Sequence, residues 1–394
     1  MTLLIDPPNA TGHGRLWSHL ASDTSYAELH DFAARLGIPA RGFDRDHYDI
    51  PAERHQAVVA AGALPVTSRE LVERLAAAGL RRRKADTLGP RRPGRMLLRP
   101  PRLHAGDRVA VVATSGMPPA EEIRRGVGVL RSWGLDVAVL DPPGHATLSY
   151  LAATDRQRAE DLTTAWCDPD TRAVFCARGG YGAQRMVDLL DFRMLAEAGP
   201  KVLVGFSDVT ALHLAFALRL GLATVHGPVV TSLGRDPDST EHLRRLLFGV
   251  TPTVLAGGSA LVPGRAEGVL VGGNLSMVAA GLGTPDAGSA RDGIAVLEDI
   301  EEDVYRLDRM ITQLLRAGWF DGVRGIVLGG FARCAPAAEL RVMFADRLGV
   351  LGVPVLLDGP VGHAPGANLA FPYGVPARLD ASASTLTLKV APLL

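Results

Sequence analysis

Residues 202–216 read VLVGFSDVTALHLAF. The run Val202–Gly205 is continuously apolar and lacks the polar alternation of a half-exposed strand, so it predicts a strand buried on both faces. From Asp208 onward the pattern looks helical. A strand that passes into a helix within a few residues is the local unit of an alternating α/β fold. A hydroxyl, Ser207, sits at the seam. Two readings are open there: Ser207 caps the helix, or a tight strand-to-helix turn presents it as a nucleophile.

The same alternation repeats outward from this stretch. DRVAVVAT from residue 107, DVAVL at 136–140, RAVFCA at 172–177 and KVLVG at 201–205 read as strands. PAEEIRRGVGVLRSWG (119–134), TDRQRAEDLTTAW (154–166), AQRMVDLLDF (183–192) and DVTALHLAFALRLG (208–221) read as helices. Residues 104–250 are therefore expected to form a parallel sheet with helices on both sides. TPTVLAGGSALVPGRA, residues 251–266, is rich in Gly and Pro and weakly periodic, and is read as an interdomain linker. Beyond it, GVLVGG, GIAVLED, RGIVLGG and PVLLDG are strand candidates, and VYRLDRMITQLLRAG and PAAELRVMFADRLG are helical. A smaller mixed α/β domain is expected over 267–394.

Toward the N-terminus the composition shifts. RRRKADTLGPRRPGRMLLRPPR (81–102) is dense in Arg, Pro and Gly, and a linker is assigned to 81–103. Such a run can touch RNA or acidic lipid, but a solvated linker is the better reading. Residues 1–80 read as a small α/β accessory domain. Ser25-Tyr-Ala-Glu28 and Thr67-Ser-Arg-Glu70 are capping boxes that each open a helix.

Bulk properties bound the function. A length of 394 residues suggests two or three domains. With 47% hydrophobic and 21% charged residues the chain is globular. Lys plus Arg and Asp plus Glu are 42 each, so no basic surplus points to nucleic acid or a membrane surface. Three cysteines, Cys167, Cys176 and Cys334, lack metal-ligand spacing and fit a reducing compartment. The N-terminus lacks the basic and apolar regions of a signal peptide. No apolar run approaches the length of a membrane span. A cytoplasmic protein is expected.

Ligands of parallel sheets collect at the carboxyl ends of strands. The polar residues there are Ser115 and Gly116, the loop RGGYGAQR (178–185), Ser207 with Asp208, Glu298 with Asp299, and His363. A serine, a carboxylate and a histidine are the kit for acyl transfer. Each also has an ordinary reading: Ser207 as a cap, Glu298 as half an ion pair, His363 as a structural histidine, and the glycines as a turn or phosphate cradle. Gly-x-Ser-Asp also departs from the hydrolase elbow Gly-x-Ser-x-Gly at its last position.

Taken together, ARGGYGAQR, VGFSDVTALH, GNLSM, VLEDIEEDVYRLDRMITQLL and GPVGH, in that order, resemble the LD-carboxypeptidase family of serine peptidases over about residues 104–394. HATLSYLAATDRQRAEDL (145–162) resembles the segment that precedes the family's glycine loop. The resemblance implies that Ser207 is the nucleophile, His363 the general base and Glu298 the carboxylate orienting it. It implies oxyanion donors at the backbone N–H groups of Asp208 and Gly180. It implies a homodimer that releases D-Ala from an L-configured centre of murein tetrapeptide, without metal or organic cofactor. Related family members instead cleave an amide in peptide-nucleotide antibiotics, for which an aromatic clamp on the adenine would be the mark. A different class remains open: a binding protein recruited through its N-terminal module.

DPPNATGHGRLWSHLASDTSYAELHDFAARLGIP followed by DHYDIP resembles a small bacterial domain of unknown function, fused here to the peptidase. Its polar residues Asp6, His13, Arg15, His19, Asp23, His47 and Asp49 match no fixed ligand spacing. A metal or phosphate site and a structural cap or docking module are both open readings.

Overall fold

Val109 and Val111 point to one face of their strand, and Ala110 and Val112 to the other; all four are buried. The same two-sided burial holds for Ala173 and Phe175 against Val174 and Cys176, and for Val202 and Val204 against Leu203. This is why these strands read as unbroken apolar runs. They form one sheet in a computed structural model that describes all residues except 1, 13–14, 40–41, 45, 79, 81–93, 141–147 and 364–365. The described chain divides into two compact units, Met1–Pro90 and Arg91–Leu394.

In the larger unit the first sheet runs, edge to edge, Phe371–Tyr373, Thr224–His226, Val202–Gly205, Thr171–Cys176, Arg108–Val112 and Asp136–Leu140. All neighbours are parallel except Phe371–Tyr373, which is antiparallel to Thr224–His226. The strand order reverses between Arg108–Val112 and Thr171–Cys176, and crevices of open α/β sheets form at such a reversal. The loops bearing Ser115 and Arg178–Gly182 leave the sheet on either side of it.

Among the described residues the second sheet has nine strands. Its centre is the parallel set Arg265–Asn274, Gly293–Ile300, Gly325–Ala332 and Val355–Leu357. Antiparallel strands Pro376–Asp380, Thr385–Leu388, Val254–Ala256 and Ser259–Val262 flank it, so it is mixed. Residues 251–266 are thus not a free linker. Val254–Ala256 and Ser259–Val262 are short edge strands, whose pairing comes from Thr385–Leu388 and Val355–Leu357 and leaves little local periodicity. Phe371–Tyr373, expected in the second domain, belongs to the first sheet. The helix Thr210–Ala215 links the layers, because Leu214 packs in the core of the second sheet. The Thr210 hydroxyl also accepts from the Asn274 backbone N–H at 3.0 Å.

The stretch after Pro93 is likewise fixed rather than linker-like. Leu97 N–H donates to Gly374, Leu98 N–H to Gly221 and Leu103 N–H to Leu247, and Leu103 is fully buried.

The smaller unit has a six-stranded sheet in the order Phe43–Asp44, His47–Pro51, Arg15–Ser22, Leu3–Ile5, Leu64–Pro65, with Ala10–Gly12 paired to Arg15–Ser22. Ser25 and Thr67 cap Tyr26–Arg35 and Ser68–Ala77, accepting from the N–H groups of Glu28 and Glu70. One sheet face packs Ile5, Leu20, Tyr48 and Ile50 against Leu29 and Phe32. The other packs Leu4 and Ala21 against Leu71 and Leu75.

Candidate active site

Ser207 has φ +65°, in the left-handed region. The helical turn Ser207–Val209 has Phe206 at its cap position, so Ser207 is its first residue and not the cap that one reading of the seam allowed. Its side chain is carried on a strained turn directly after the buried strand Val202–Gly205, a backbone state that costs roughly 1–2 kcal/mol for a residue with a Cβ.

Asp208 holds the turn in place. Its carboxylate is 2% exposed and accepts from Ser115 Oγ at 2.5 Å and from the Ala183 N–H at 2.7 Å. One side chain thus ties together the loops that follow three strands. Burial pushes the Asp208 carboxyl above its ordinary range, against the pull of those donors. Sequence reasoning valued Asp208 only for its backbone N–H. Arg158, fully buried, was missed altogether. Its guanidinium donates to the carbonyls of Thr114, Ala153 and Gly182 and to Asp155, bracing the glycine loop from beneath. The signal in sequence was an arginine inside a predicted amphipathic helix, which reads as a solvated charge.

The loop Arg178–Gly182 passes close to Ser207. A Cβ on Gly179 would stand 3.1 Å from Ser207 Cβ and 3.3 Å from its Oγ. Gly179 is the loop glycine against the hydroxyl, and Gly180, the expected oxyanion donor, follows it. Gly179 also accepts from the Gly116 N–H at 3.2 Å, closing the crevice on its far side.

Glu298 and His363 come from the second sheet. His363 Nδ1 lies 2.6 Å from Glu298 Oε2, and the same oxygen accepts the His363 backbone N–H at 3.0 Å. Glu298 is fully buried. The approach is close because Gly362 has no side chain: at φ +72°, a Cβ there would lie 2.2 Å from Glu298 Cγ. The His363 ring packs on Phe206, centroids 4.8 Å apart, which sets the imidazole beside the residue preceding Ser207. No hydrogen bond joins Ser207 to His363 among the described residues. The carboxylate on Nδ1 fixes the tautomer whose Nε2 can accept a proton.

Two further histidines lie behind this pair. His213 is buried, with Nε2 2.9 Å from the Gly205 carbonyl and Nδ1 2.8 Å from the Thr224 hydroxyl; burial lowers it to about 4. His226 is fully buried, stacked on Phe371 at 4.6 Å, and its Nε2 lies 3.9 Å from Glu298 Oε1. Burial, with His213 and His363 nearby, drives it well below the usual histidine range. Both are neutral in the fold, so neither places a charge beside Glu298. Cys176 is buried, and its thiol is pushed up to about 12 by burial. All three cysteines are free. At the mouth of the glycine loop, Tyr181 and Tyr150 are exposed and meet edge to face, centroids 5.8 Å apart.

In the smaller unit the polar residues divide. Asp6, His19, His47 and Asp49 cluster, whereas Asp23 is paired with Arg74. Arg15 is exposed, and His13 lies outside the described residues. No helix among the described residues is long and apolar enough to cross a membrane.

Comparison with known proteins places most of the larger unit in one family. Residues 109–227 match the LD-carboxypeptidase N-terminal domain and 267–379 its C-terminal domain. Residues 3–78 match a protein family of unknown function, DUF4031. A Streptomyces coelicolor protein with a provisional carboxypeptidase name is 55% identical over 75% of this chain and 97% of its own length. The murein tetrapeptide carboxypeptidase of Pseudomonas aeruginosa is 37% identical over 69% of this chain and 93% of its own. The structure of a muramoyltetrapeptide carboxypeptidase from Oxalobacter formigenes aligns with a TM-score of 0.62 and 29% identity, covering 71% of this chain and 97% of that one. Both matched domains and relatives of this identity and coverage agree: the chain belongs to the LD-carboxypeptidase family of serine peptidases.

Proposed function

We propose that the chain hydrolyses the amide between an L-configured centre and the terminal D-Ala of murein tetrapeptide, a step of cell-wall recycling. The observation that carries this reading is the pair of the buried Glu298 and the partly exposed His363, standing beside the strained Ser207 turn. The names of the relatives support the substrate.

In this reading His363 Nε2 takes the Ser207 proton as Oγ attacks the carbonyl of the L-centre. The oxyanion is held by the N–H groups of Asp208 and Gly180. The imidazolium, steadied by Glu298, gives its proton to the leaving nitrogen, and D-Ala departs. Water, deprotonated by the same imidazole, attacks the acyl-enzyme. The tripeptide leaves and the proton returns to Ser207. The protein acts as a cytoplasmic homodimer, and this chemistry uses no metal.

Incubation of the protein with purified tetrapeptide, followed by mass spectrometry, tests this directly. Loss of one alanine, absent with Ser207→Ala, is the expected result. An unchanged peptide would leave the substrate assignment without support.

A second reading, hydrolysis of an amide in a peptide-nucleotide antibiotic, has one observation in its favour: the exposed Tyr150–Tyr181 pair at the glycine loop. An aromatic platform there suits a nucleobase. Turnover of an aminoacyl sulfamoyl adenosine lost in Tyr181→Ala, with tetrapeptide turnover kept, would favour it. A third reading, a non-catalytic binding protein, predicts no turnover of either substrate.

A further inference from the structure

The smaller unit carries two histidines and a carboxylate on one sheet face. His19 lies in Arg15–Ser22, and His47 and Asp49 lie in His47–Pro51. The antiparallel register sets His19 directly opposite Asp49. His47 is two residues from Asp49, so it shares that face. Leu20, Tyr48 and Ile50 take the opposite face and its core. One ligand atom from each of His19, His47 and Asp49 lies within 4.8 Å of the others. Ligand atoms about 2.0–2.2 Å from a tetrahedral ion stand roughly 3.3–3.5 Å apart. A closing of at most about 1.5 Å, within reach of side-chain rotation, therefore completes the geometry.

A second, independent feature points the same way. Each imidazole is held at Nδ1 by its own buried carboxylate. His19 Nδ1 lies 2.9 Å from Asp6 Oδ2, and His47 Nδ1 lies 2.7 Å from Asp46 Oδ1. Asp6 is 1% exposed and Asp46 0%. A carboxylate on one ring nitrogen is the usual support for a histidine that ligates through the other, because it fixes the tautomer and raises the ligand's basicity. Asp6 is itself anchored, accepting from the His19 N–H at 2.5 Å and the Ser68 hydroxyl at 2.7 Å.

On the same face His47 Nε2 lies 3.4 Å from Asp49 Oδ1. Asp49 is half-exposed, which leaves the site open to an ion from solvent.

We propose that His19, His47 and Asp49 bind a divalent first-row transition metal, zinc foremost, with Asp6 and Asp46 as the carboxylates that orient the two rings. The nitrogen-rich donor set disfavours Mg²⁺ and Ca²⁺, which take oxygen ligands. Three protein ligands leave at least one coordination position for water or an anionic group.

The test uses the full-length protein, stripped with EDTA and then given Zn²⁺ or Co²⁺, with bound metal counted per chain after desalting. The expected result is about one ion per chain, a visible ligand-field absorption with Co²⁺, and no competition from millimolar Mg²⁺ or Ca²⁺. His19→Ala and His47→Ala should lose the ion, and His104→Ala, in the other unit, should keep it. Asp6→Asn should weaken binding by about 10–100-fold with the fold intact by circular dichroism. If a histidine variant fails to fold, Asp49→Asn, whose side chain is half-exposed, serves in its place. Wild-type protein without bound metal, variants that retain it fully, or equal competition by Mg²⁺ would each overturn the proposal. Because the readout is metal content, it is independent of tetrapeptide turnover.

Discussion

Ser207 holds a backbone state that glycine would hold without strain. Ser207→Ala should therefore abolish turnover and leave stability near that of the parent, because alanine keeps the strain. Ser207→Gly should also be inactive yet unfold at higher urea than Ser207→Ala, by up to about 1 kcal/mol. Equal urea midpoints would show that the turn is not strained, and wild-type turnover in either variant would remove Ser207 from the mechanism. Glu298→Gln should cost about two to four orders of magnitude in kcat, since it removes the charge that steadies the imidazolium. A small effect would make Glu298 merely a packing residue. At this scale the sequence offered residue types but not roles. A cap and a nucleophile both call for a short polar side chain at the seam, and what tells against the cap is the place of Ser207 one residue inside the turn. The side-chain work of Asp208 and Arg158 depends on three loops meeting in space, which no local pattern encodes.

Elements were legible where burial on both faces made long apolar runs, as in Arg108–Val112, Thr171–Cys176 and Val202–Gly205. They were not legible where a strand is only three residues long and borrows its pairing from distant chain, as in Thr224–His226 and Phe371–Tyr373. The glycine loop shows how tightly such elements meet at the site. Gly179→Ala puts a methyl group 3.3 Å from Ser207 Oγ, so the hydroxyl must give way by a few tenths of an ångström. Turnover should fall by about tenfold or more while the melting temperature barely moves. Unchanged kcat would show that the loop does not set the position of the nucleophile. The helix behind it carries a pH signature. His213 lies near 4 in the fold against about 6.5 when exposed, because burial disfavours its charge. As pH falls through 6.5 the unfolded chain takes the proton first, so this group withdraws stability between pH 6.5 and 4, at most about 3 kcal/mol. The buried carboxyls Asp208 and Asp299, raised by burial, act in the opposite sense at the acid end. The difference between wild type and His213→Gln cancels them. The variant should lose less melting temperature between pH 7 and pH 5, and parallel curves would mean that His213 does not titrate as its burial requires.

For the whole molecule, the composition shift near residue 81 pointed to a separate N-terminal unit, and the compact units of the described chain are Met1–Pro90 and Arg91–Leu394. What composition hid is where the larger unit begins. The basic, proline-rich run reads as linker through residue 103, yet Leu97, Leu98 and Leu103 donate backbone hydrogen bonds into it, and Ala223 N–H returns one to Leu98. Gly94 also lies against Asp292. Truncation therefore has two predicted outcomes. A chain starting at Arg91 keeps every one of these contacts, so it should be soluble and cleave tetrapeptide with kcat/KM within about threefold of full length, with or without EDTA. A chain starting at His104 loses the fully buried Leu103 and the pairing of Leu98, and should unfold at least about 2–5 kcal/mol more easily, as for removal of one large core side chain. Urea denaturation and steady-state kinetics on both chains decide the matter. An inactive or insoluble Arg91 chain would make residues 1–90 part of the catalytic unit, and a His104 chain as stable as the Arg91 chain would return 94–103 to the status of a linker.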